Sequence, residues 1–420
     1  MHTRRWLCRA GALVFVLLVL NACATTHLPP FGATAQPLRL ARDEARIWQM
    51  SAREQQKLDK SAKIYHDPLL EDYLNRVVRR LVPDEVEKEV QFTVKVIKDP
   101  SLNAFAYPNG RIYVHTGLLA RMENEAQLAT VLGHEAMHVI NRDAVRHFRS
   151  TRNKLILANV AAIAGSIAVS AIAGNELEKG NLVTASVISQ TAQVMLGLGL
   201  QLGLLAAVNG YSRSLENQAD AGAMRLLVEA GYDPKEAPKV HALLLKTYGD
   251  PTKIENFFFG SHARNQERIA HYEELLHTTY AAAAQDPTRI TTTAAFARRL
   301  RAVVRDNALL DIEAGRYNTA EAALERVLRQ QPNDAKAHYY LGELYRRRAQ
   351  NATDLIRAVE AYQQAIAHDP KLAGAYRGLG LVQYQRGHKR EARTAFERYL
   401  QLQPQAKDRE QIEDYLVELS

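Results

Sequence analysis

The 420-residue chain is 47% apolar and 24% charged, a composition that excludes a broadly disordered protein and provides enough apolar surface for two cored domains. The formal charge of +8 falls to +5 when Arg4, Arg5 and Arg9 are set aside, and no clustered basic-aromatic stretch accompanies it. That argues against a nucleic-acid groove and leaves membrane headgroups as the more suitable charged partner.

Arg4, Arg5 and Arg9 precede an apolar run over residues 10–20, which ends in Leu20-Asn21-Ala22-Cys23. A basic start, a short apolar core and a small residue before cysteine predict a lipoprotein signal peptide over 1–22, with Cys23 as the acylated first residue of the mature chain. The run is shorter than the roughly 20 residues that a membrane span requires. Cys8 would leave with the signal and Cys23 would carry lipid, so no thiol pair remains for a disulfide. Ala24 stands where inner-membrane lipoproteins usually show Asp, and by that resemblance to bacterial lipoproteins the periplasmic face of the outer membrane is the expected location.

Residues 41–60 and 68–81 have the apolar spacing of amphipathic helices, and 92–97 reads as a strand ending at Asp99-Pro100. Residues 111–116 alternate in character between Asn109-Gly110 and Gly117, as a short strand does. Such a strand can accept a substrate segment through sequence-tolerant main-chain hydrogen bonds, or be an ordinary strand of a sheet; the residues leave both open.

The run from Asn124 to Leu132 carries apolar residues at three- and four-residue spacing into His134-Glu135-Ala136-Met137-His138, which predicts a helix. Positions i and i+4 share a helix face, so His134 and His138 can present imidazole nitrogens to one metal ion while Glu135 leans over the same pocket. Catalytic zinc takes three protein ligands and keeps a fourth position for water, and Glu216 is the candidate third ligand. The metal lowers the pKa of its water to roughly 7, and Glu135 as general base can take the remaining proton during attack on a scissile carbonyl. Asp220, four residues after Glu216 and on the same helical face, is placed to orient a ligand histidine through its second ring nitrogen.

Between the two motifs, 155–174 and 182–210 contain no charged residue. Both are long enough to span a bilayer, yet they are rich in Ala, Gly and Ser, which suits a helical hairpin packed on the protein or dipping into the membrane as well as it suits true spans. Farther on, His262 lies in Gly260-Ser261-His262-Ala263-Arg264 with Phe257, Phe258 and Phe259 before it. Three roles stay open for it: a fourth ligand blocking water from the metal, a stabiliser of the oxyanion, or the cap of a loop.

After about residue 275 the composition shifts to an Ala-rich run over 281–284, Pro287 and Thr291-Thr292-Thr293, which reads as a linker. Pro332, Pro370 and Pro404 then close three helical units, each preceded at twelve, eight and five residues by apolar residues: Ala320, Leu324 and Val327; Ala358, Tyr362 and Ala365; Ala392, Phe396 and Tyr399. The last two prolines stand 34 residues apart and the first two 38, so about four residues are inserted near 348–353. This resembles the tetratricopeptide pattern, whose hairpins stack into an array that offers a concave face to protein, here closed by a terminal helix over 405–419.

Together with HEAMH, the segments Leu102-Asn103-Ala104-Phe105-Ala106-Tyr107-Pro108-Asn109-Gly110, Arg111-Ile112-Tyr113-Val114-His115-Thr116-Gly117 and Tyr211-Ser212-Arg213-Ser214-Leu215-Glu216-Asn217-Gln218-Ala219-Asp220 resemble the membrane-associated zinc peptidases of the HtpX and CaaX-prenyl-protease type and the BepA-like periplasmic proteases. The resemblance covers about residues 40–275 and implies that His134, His138 and Glu216 hold one zinc ion with Glu135 as the catalytic base. It also implies that the 111–116 strand borders the cleft. One departure is visible: many relatives carry Ser-Thr-His-Pro where this chain keeps His262 without the proline, while Arg268 and Ile269 follow at the family's usual position.

The expected architecture is mainly α with a small β-sheet: a zinc metallopeptidase domain over 23–285 that contains the uncharged hairpin at about 155–210, then a tetratricopeptide α-solenoid over 294–420. The expected function is a lipid-anchored periplasmic endopeptidase that degrades misfolded or stalled outer-membrane proteins, its repeats recruiting substrate or the assembly machinery, with the membrane surface as a partner and no nucleic acid. The alternative from another class is an assembly chaperone or adaptor with a latent peptidase site. A membrane-embedded CaaX-type peptidase is disfavoured by the lipobox and the repeats.

Overall fold

The computed structural model describes residues 26–34, 38–61, 63–154, 211–248 and 265–420. The expectations for the signal peptide, for Cys23, for the 155–210 hairpin and for His262 lie outside the described residues. The described residues are mainly helical, and they fall into two compact units. The first is drawn from Met1–Lys95, Asn103–Val114 and Glu125–Thr292, the second from Val96–Leu102, His115–Asn124 and Thr293–Ser420.

In the first unit, helix α1 spans Arg42–Asp59 and α2 spans Pro68–Leu81. Asp67 caps α2 by accepting from the amides of Leu69 and Leu70, and Pro68 at the first helical position gives up no needed donor. Leu70, Tyr73, Leu74, Val77, Val78 and Leu81 recur at helical spacing and are all buried, as the sequence predicts. Strands β1 (Thr93–Ile97), β2 (Ala104–Ala106) and β3 (Arg111–His115) form a sheet of order β1-β3-β2. β2 and β3 are antiparallel with Phe105 opposite Tyr113, and their rings stack at 5.3 Å. The turn between them needs glycine: Gly110 has φ 93°, and a Cβ there would lie 2.3 Å from the Gln91 carbonyl oxygen.

After the short helix α3 (Thr116–Arg121), helix α4 spans Glu125–Ile140 and buries every one of its residues, which identifies it as the central element of the unit. Its first residue is pinned by two phenols, since the Glu125 carboxylate accepts from Tyr73 at 2.7 Å and from Tyr232 at 2.9 Å. Helix α5 (Arg213–Glu229) packs closely on α4 because the contact is built from small residues. A Cβ on Gly133 would meet Ala223 at 3.8 Å, and one on Gly222 would meet the Met137 side chain at 2.4 Å. Helices α6 (Ala237–Tyr248) and α7 (Asn265–His277) follow. The residues read as a linker are held against this unit: Ala281–Gln285 is helical, Ile290 exchanges backbone hydrogen bonds with Gly231 and Asp233, and the Thr291 carbonyl accepts from Ala126.

In the second unit, α8 (Ala294–Glu313) to α14 (Arg409–Glu418) are helical hairpins with a closing helix; between them come α9 (Tyr317–Gln330), α10 (Ala335–Arg348), α11 (Ala352–His368), α12 (Ala373–Gln385) and α13 (Lys389–Leu402). Gly342 and Gly380 admit the rings of Tyr362 and Phe396, which would stand 2.5 Å from an added Cβ. The extra residues near 348–353 form a left-handed turn at Ala349 and a cap at Asn351. Ile412 of α14 is fully buried against Phe396 and Tyr399. The unit also encloses α3: Thr116 donates to Asn307 at 2.9 Å, Arg121 pairs with Asp311 at 2.9 Å, and Arg326 donates to the carbonyls of Ala120 and Met122. Among the described residues, no helix is long and apolar enough to cross a membrane.

Candidate metal centre

α4 and α5 bring three ligand-type side chains to one point. His134 Nε2 lies 3.1 Å from His138 Nε2 and 3.3 Å from Glu216 Oε2, and His138 Nε2 lies 3.7 Å from Glu216 Oε1. Ligand atoms each 2.0–2.2 Å from a tetrahedral zinc stand about 3.3–3.6 Å apart, and the separations here, two of them to different oxygens of Glu216, bracket that range. All three residues are buried, and they are the group among the described residues able to hold a metal ion.

The ring orientations explain the convergence. His134 Nδ1 is 2.9 Å from Asp220 Oδ1 and His138 Nδ1 is 2.8 Å from Asp143 Oδ2. With each Nδ1–H donated to a carboxylate, the Nε2 atoms of both rings are turned toward the same space, where their lone pairs can share a metal ion. Each carboxylate is in turn held by an arginine. Arg268 forks onto Asp220, with Nε 2.8 Å from Oδ2 and Nη2 on Oδ1, and Tyr272 adds its hydroxyl at 2.8 Å. Arg146 donates to Asp143 Oδ1 at 2.9 Å and to Gln218 at 3.1 Å. Burial by itself would raise the Asp220 carboxyl, but Arg268 and His134 outweigh it and keep it well below the usual carboxylate range.

Glu135 is 2% exposed and its Oε1 has no hydrogen-bond partner. Burial pushes its carboxyl up to about 7, against the opposing pull of His134 and His138. It borders a small, mainly apolar pocket with Thr130, Val131, Val240, His241 and Tyr272. Above His138 lies the Tyr211 ring, 4.3 Å away, and the Tyr211 amide donates to Glu216 Oε1 at 3.2 Å.

The residues expected from spacing, His134, Glu135, His138, Glu216 and Asp220, thus meet in one place. Tyr272 carries no local sequence signal, and Tyr211 and Arg268 were visible only as family positions without a role. Asp143 had one faint marker, its place just after the helix that carries both histidines.

The fold and this site define the HExxH class of metallopeptidase domain. Residues 68–276 match the model of Peptidase family M48, and 305–354 and 345–416 match tetratricopeptide repeat models, so the chain carries an M48 peptidase domain followed by tetratricopeptide repeats. It is 28% identical over 211 residues to a putative beta-barrel assembly-enhancing protease of Vibrio cholerae, covering 50% of this chain and 40% of that one. The beta-barrel assembly-enhancing protease of Escherichia coli is 26% identical over 211 residues, 50% of this chain and 39% of that one. The mitochondrial metalloendopeptidase OMA1 of Schizosaccharomyces pombe is 26% identical over 218 residues, 52% and 56% of the two chains. The chain therefore spans less than two thirds of the length of these relatives.

Proposed function

We propose that this chain is a zinc-dependent endopeptidase, lipid-anchored through Cys23 on the periplasmic face of the outer membrane, that degrades misfolded or stalled outer-membrane proteins while its repeats recruit substrate or assembly machinery. The observation that carries the reading is the convergence of His134, His138 and Glu216 beside a buried, unpartnered Glu135. The names of the bacterial relatives support the substrate class, and the N-terminal sequence supports the compartment.

His134, His138 and Glu216 would hold the metal. Zinc bound there supplies an acidified water and polarises the scissile carbonyl. Glu135 is the proton carrier: its free Oε1 takes the proton of the attacking water and can return it to the departing amine, and its raised affinity for protons suits both transfers. Asp220 and Asp143 fix the ring tautomers, so that Nε2 of each imidazole is the atom left to bind metal.

The test is metal analysis of the purified full chain, with cleavage of a casein-type substrate by the wild type and Glu135→Gln. Bound zinc with cleavage that the substitution abolishes supports the endopeptidase. A zinc-free native protein rejects it. A cellular phenotype that survives Glu135→Gln would favour the chaperone or adaptor role.

A further inference from the structure

α4 ends in an unusual way. Arg142 has φ 59°, in the left-handed region, where a side chain other than glycine is strained. Its amide closes α4 by donating to the Val139 carbonyl, and its own carbonyl accepts from Val145 and Arg146, which starts the next helix (143–154). The left-handed turn therefore makes Asp143 the first residue of the new helix and aims it back at His138 Nδ1.

Glycine would adopt this turn without strain, so something must favour arginine. The guanidinium is gripped on several sides. Nε donates to Glu44 Oε1 at 2.8 Å, Nη2 pairs with Glu44 Oε2, and Nη1 donates to the Pro29 carbonyl at 3.2 Å. The Phe31 ring lies beneath it at 5.2 Å. The Glu44 side chain is fully buried and that of Arg142 is 8% exposed, so this is a desolvated, bidentate pair. The N-terminal segment that supplies Pro29 and Phe31 is itself fastened. The Phe31 amide donates to the Ile140 carbonyl at 2.9 Å, its ring meets Trp48 edge-on at 6.2 Å, and the Gly32 amide donates to Glu89 at 3.0 Å.

We propose that residues 29–32 and Glu44 form a strap that holds Arg142 in its left-handed turn and thereby keeps Asp143 on His138, which makes Arg142 a positioning residue for the metal centre. The proposal rests on the reading of His134, His138 and Glu216 as a zinc site. The strap acts on the ligand's orientation and touches neither metal nor substrate. A neighbouring pair serves as the comparator: Asp43, beside Glu44 on α1, forks with Arg149 at 2.8 and 2.9 Å, seven residues beyond Arg142 and off the path to His138.

The experiment loads the full chain with zinc and measures release to excess chelator, then records the visible spectrum of the cobalt-substituted protein. Glu44→Gln and Phe31→Ala are expected to release zinc about tenfold faster and to shift the cobalt bands, the usual scale for losing a group that orients a metal-binding histidine. Asp43→Asn should lower the melting temperature while zinc release and the cobalt spectrum stay as in the wild type. Arg142→Gly keeps the turn accessible even if Glu44→Gln folds poorly, and it should also release zinc faster. Wild-type release from Arg142→Gly, or equal acceleration in Asp43→Asn, would overturn the strap. A wild-type chain that takes up no zinc would instead reject the metal site itself.

Discussion

Asp220 Oδ1 lies 2.9 Å from His134 Nδ1, and the same carboxylate accepts from Arg268 and Tyr272, so one buried anion organises a ligand histidine and a buried cation together. Asp220→Asn should therefore act twice. It weakens zinc retention by about 10–100-fold, because the amide no longer selects the ring tautomer. It also removes the nearer of the two carboxylates that neutralise the buried Arg268, leaving Glu216 at 3.9 Å, at a cost of up to about 3–5 kcal/mol. Chelator competition reads the first effect, and thermal unfolding of the metal-free wild type and variant reads the second.

If Glu135 carries protons without ligating, as proposed, Glu135→Gln should lose at least about 100-fold in turnover while zinc content is unchanged. Loss of zinc together with activity would show that Glu135 is a ligand.

Glu216→Ala should abolish stable zinc binding, since two histidines alone leave the site short of its third ligand. Chelation of the wild-type chain should likewise stop hydrolysis and lower the melting temperature, and added zinc should restore both, because a ligand that binds only the folded state stabilises it.

Asp311→Ala should destabilise the second unit by about 3–5 kcal/mol, since Asp311 is fully buried between Arg121 and Arg316. Paired replacement of Arg121 and Asp311 by apolar residues should cost less than Asp311→Ala, as a double-mutant cycle would reveal.

Glu343 is buried in α10, where burial would raise its carboxyl but hydrogen bonds from Arg346 and Tyr362 hold it below the usual value. A depressed folded-state pKa contributes stability at neutral pH and loses it as pH falls below about 4.3, the ordinary value for glutamate. Glu343→Gln should lower the melting temperature at pH 7 and narrow its difference from the wild type in acid. A constant difference across that range would rule out the linkage.

The features legible in the residue order are those whose geometry is local. His134 with His138 and Glu216 with Asp220 are each four residues apart on a helix, and helical periodicity turns that spacing into a shared face. The repeats were legible for the same reason: Ala320, Leu324 and Val327 recur in kind as Ala358, Tyr362 and Ala365 and as Ala392, Phe396 and Tyr399, at helical spacing before each closing proline. Asp143 was not legible, because its partnership depends on a left-handed arginine that no propensity rule favours. Arg268 reaches Asp220 across 48 residues, and α3 is enclosed by α8 across about 190. The Ala- and Thr-rich composition of 281–293 suggested a linker, yet Ile290 donates to the Gly231 carbonyl and accepts from the Asp233 amide, and Thr291 accepts from the Ala126 amide.

Residue order by itself determined the chemistry available: two imidazoles and a carboxylate suited to a metal, a second carboxylate suited to carrying a proton, and, later in the chain, a series of helical hairpins. Tertiary structure alone decided which groups aim those imidazoles and which unit covers the segment before α4. Those outcomes depend on side chains that meet only when distant stretches bury their charges together, and pairing of that kind leaves no period in the sequence.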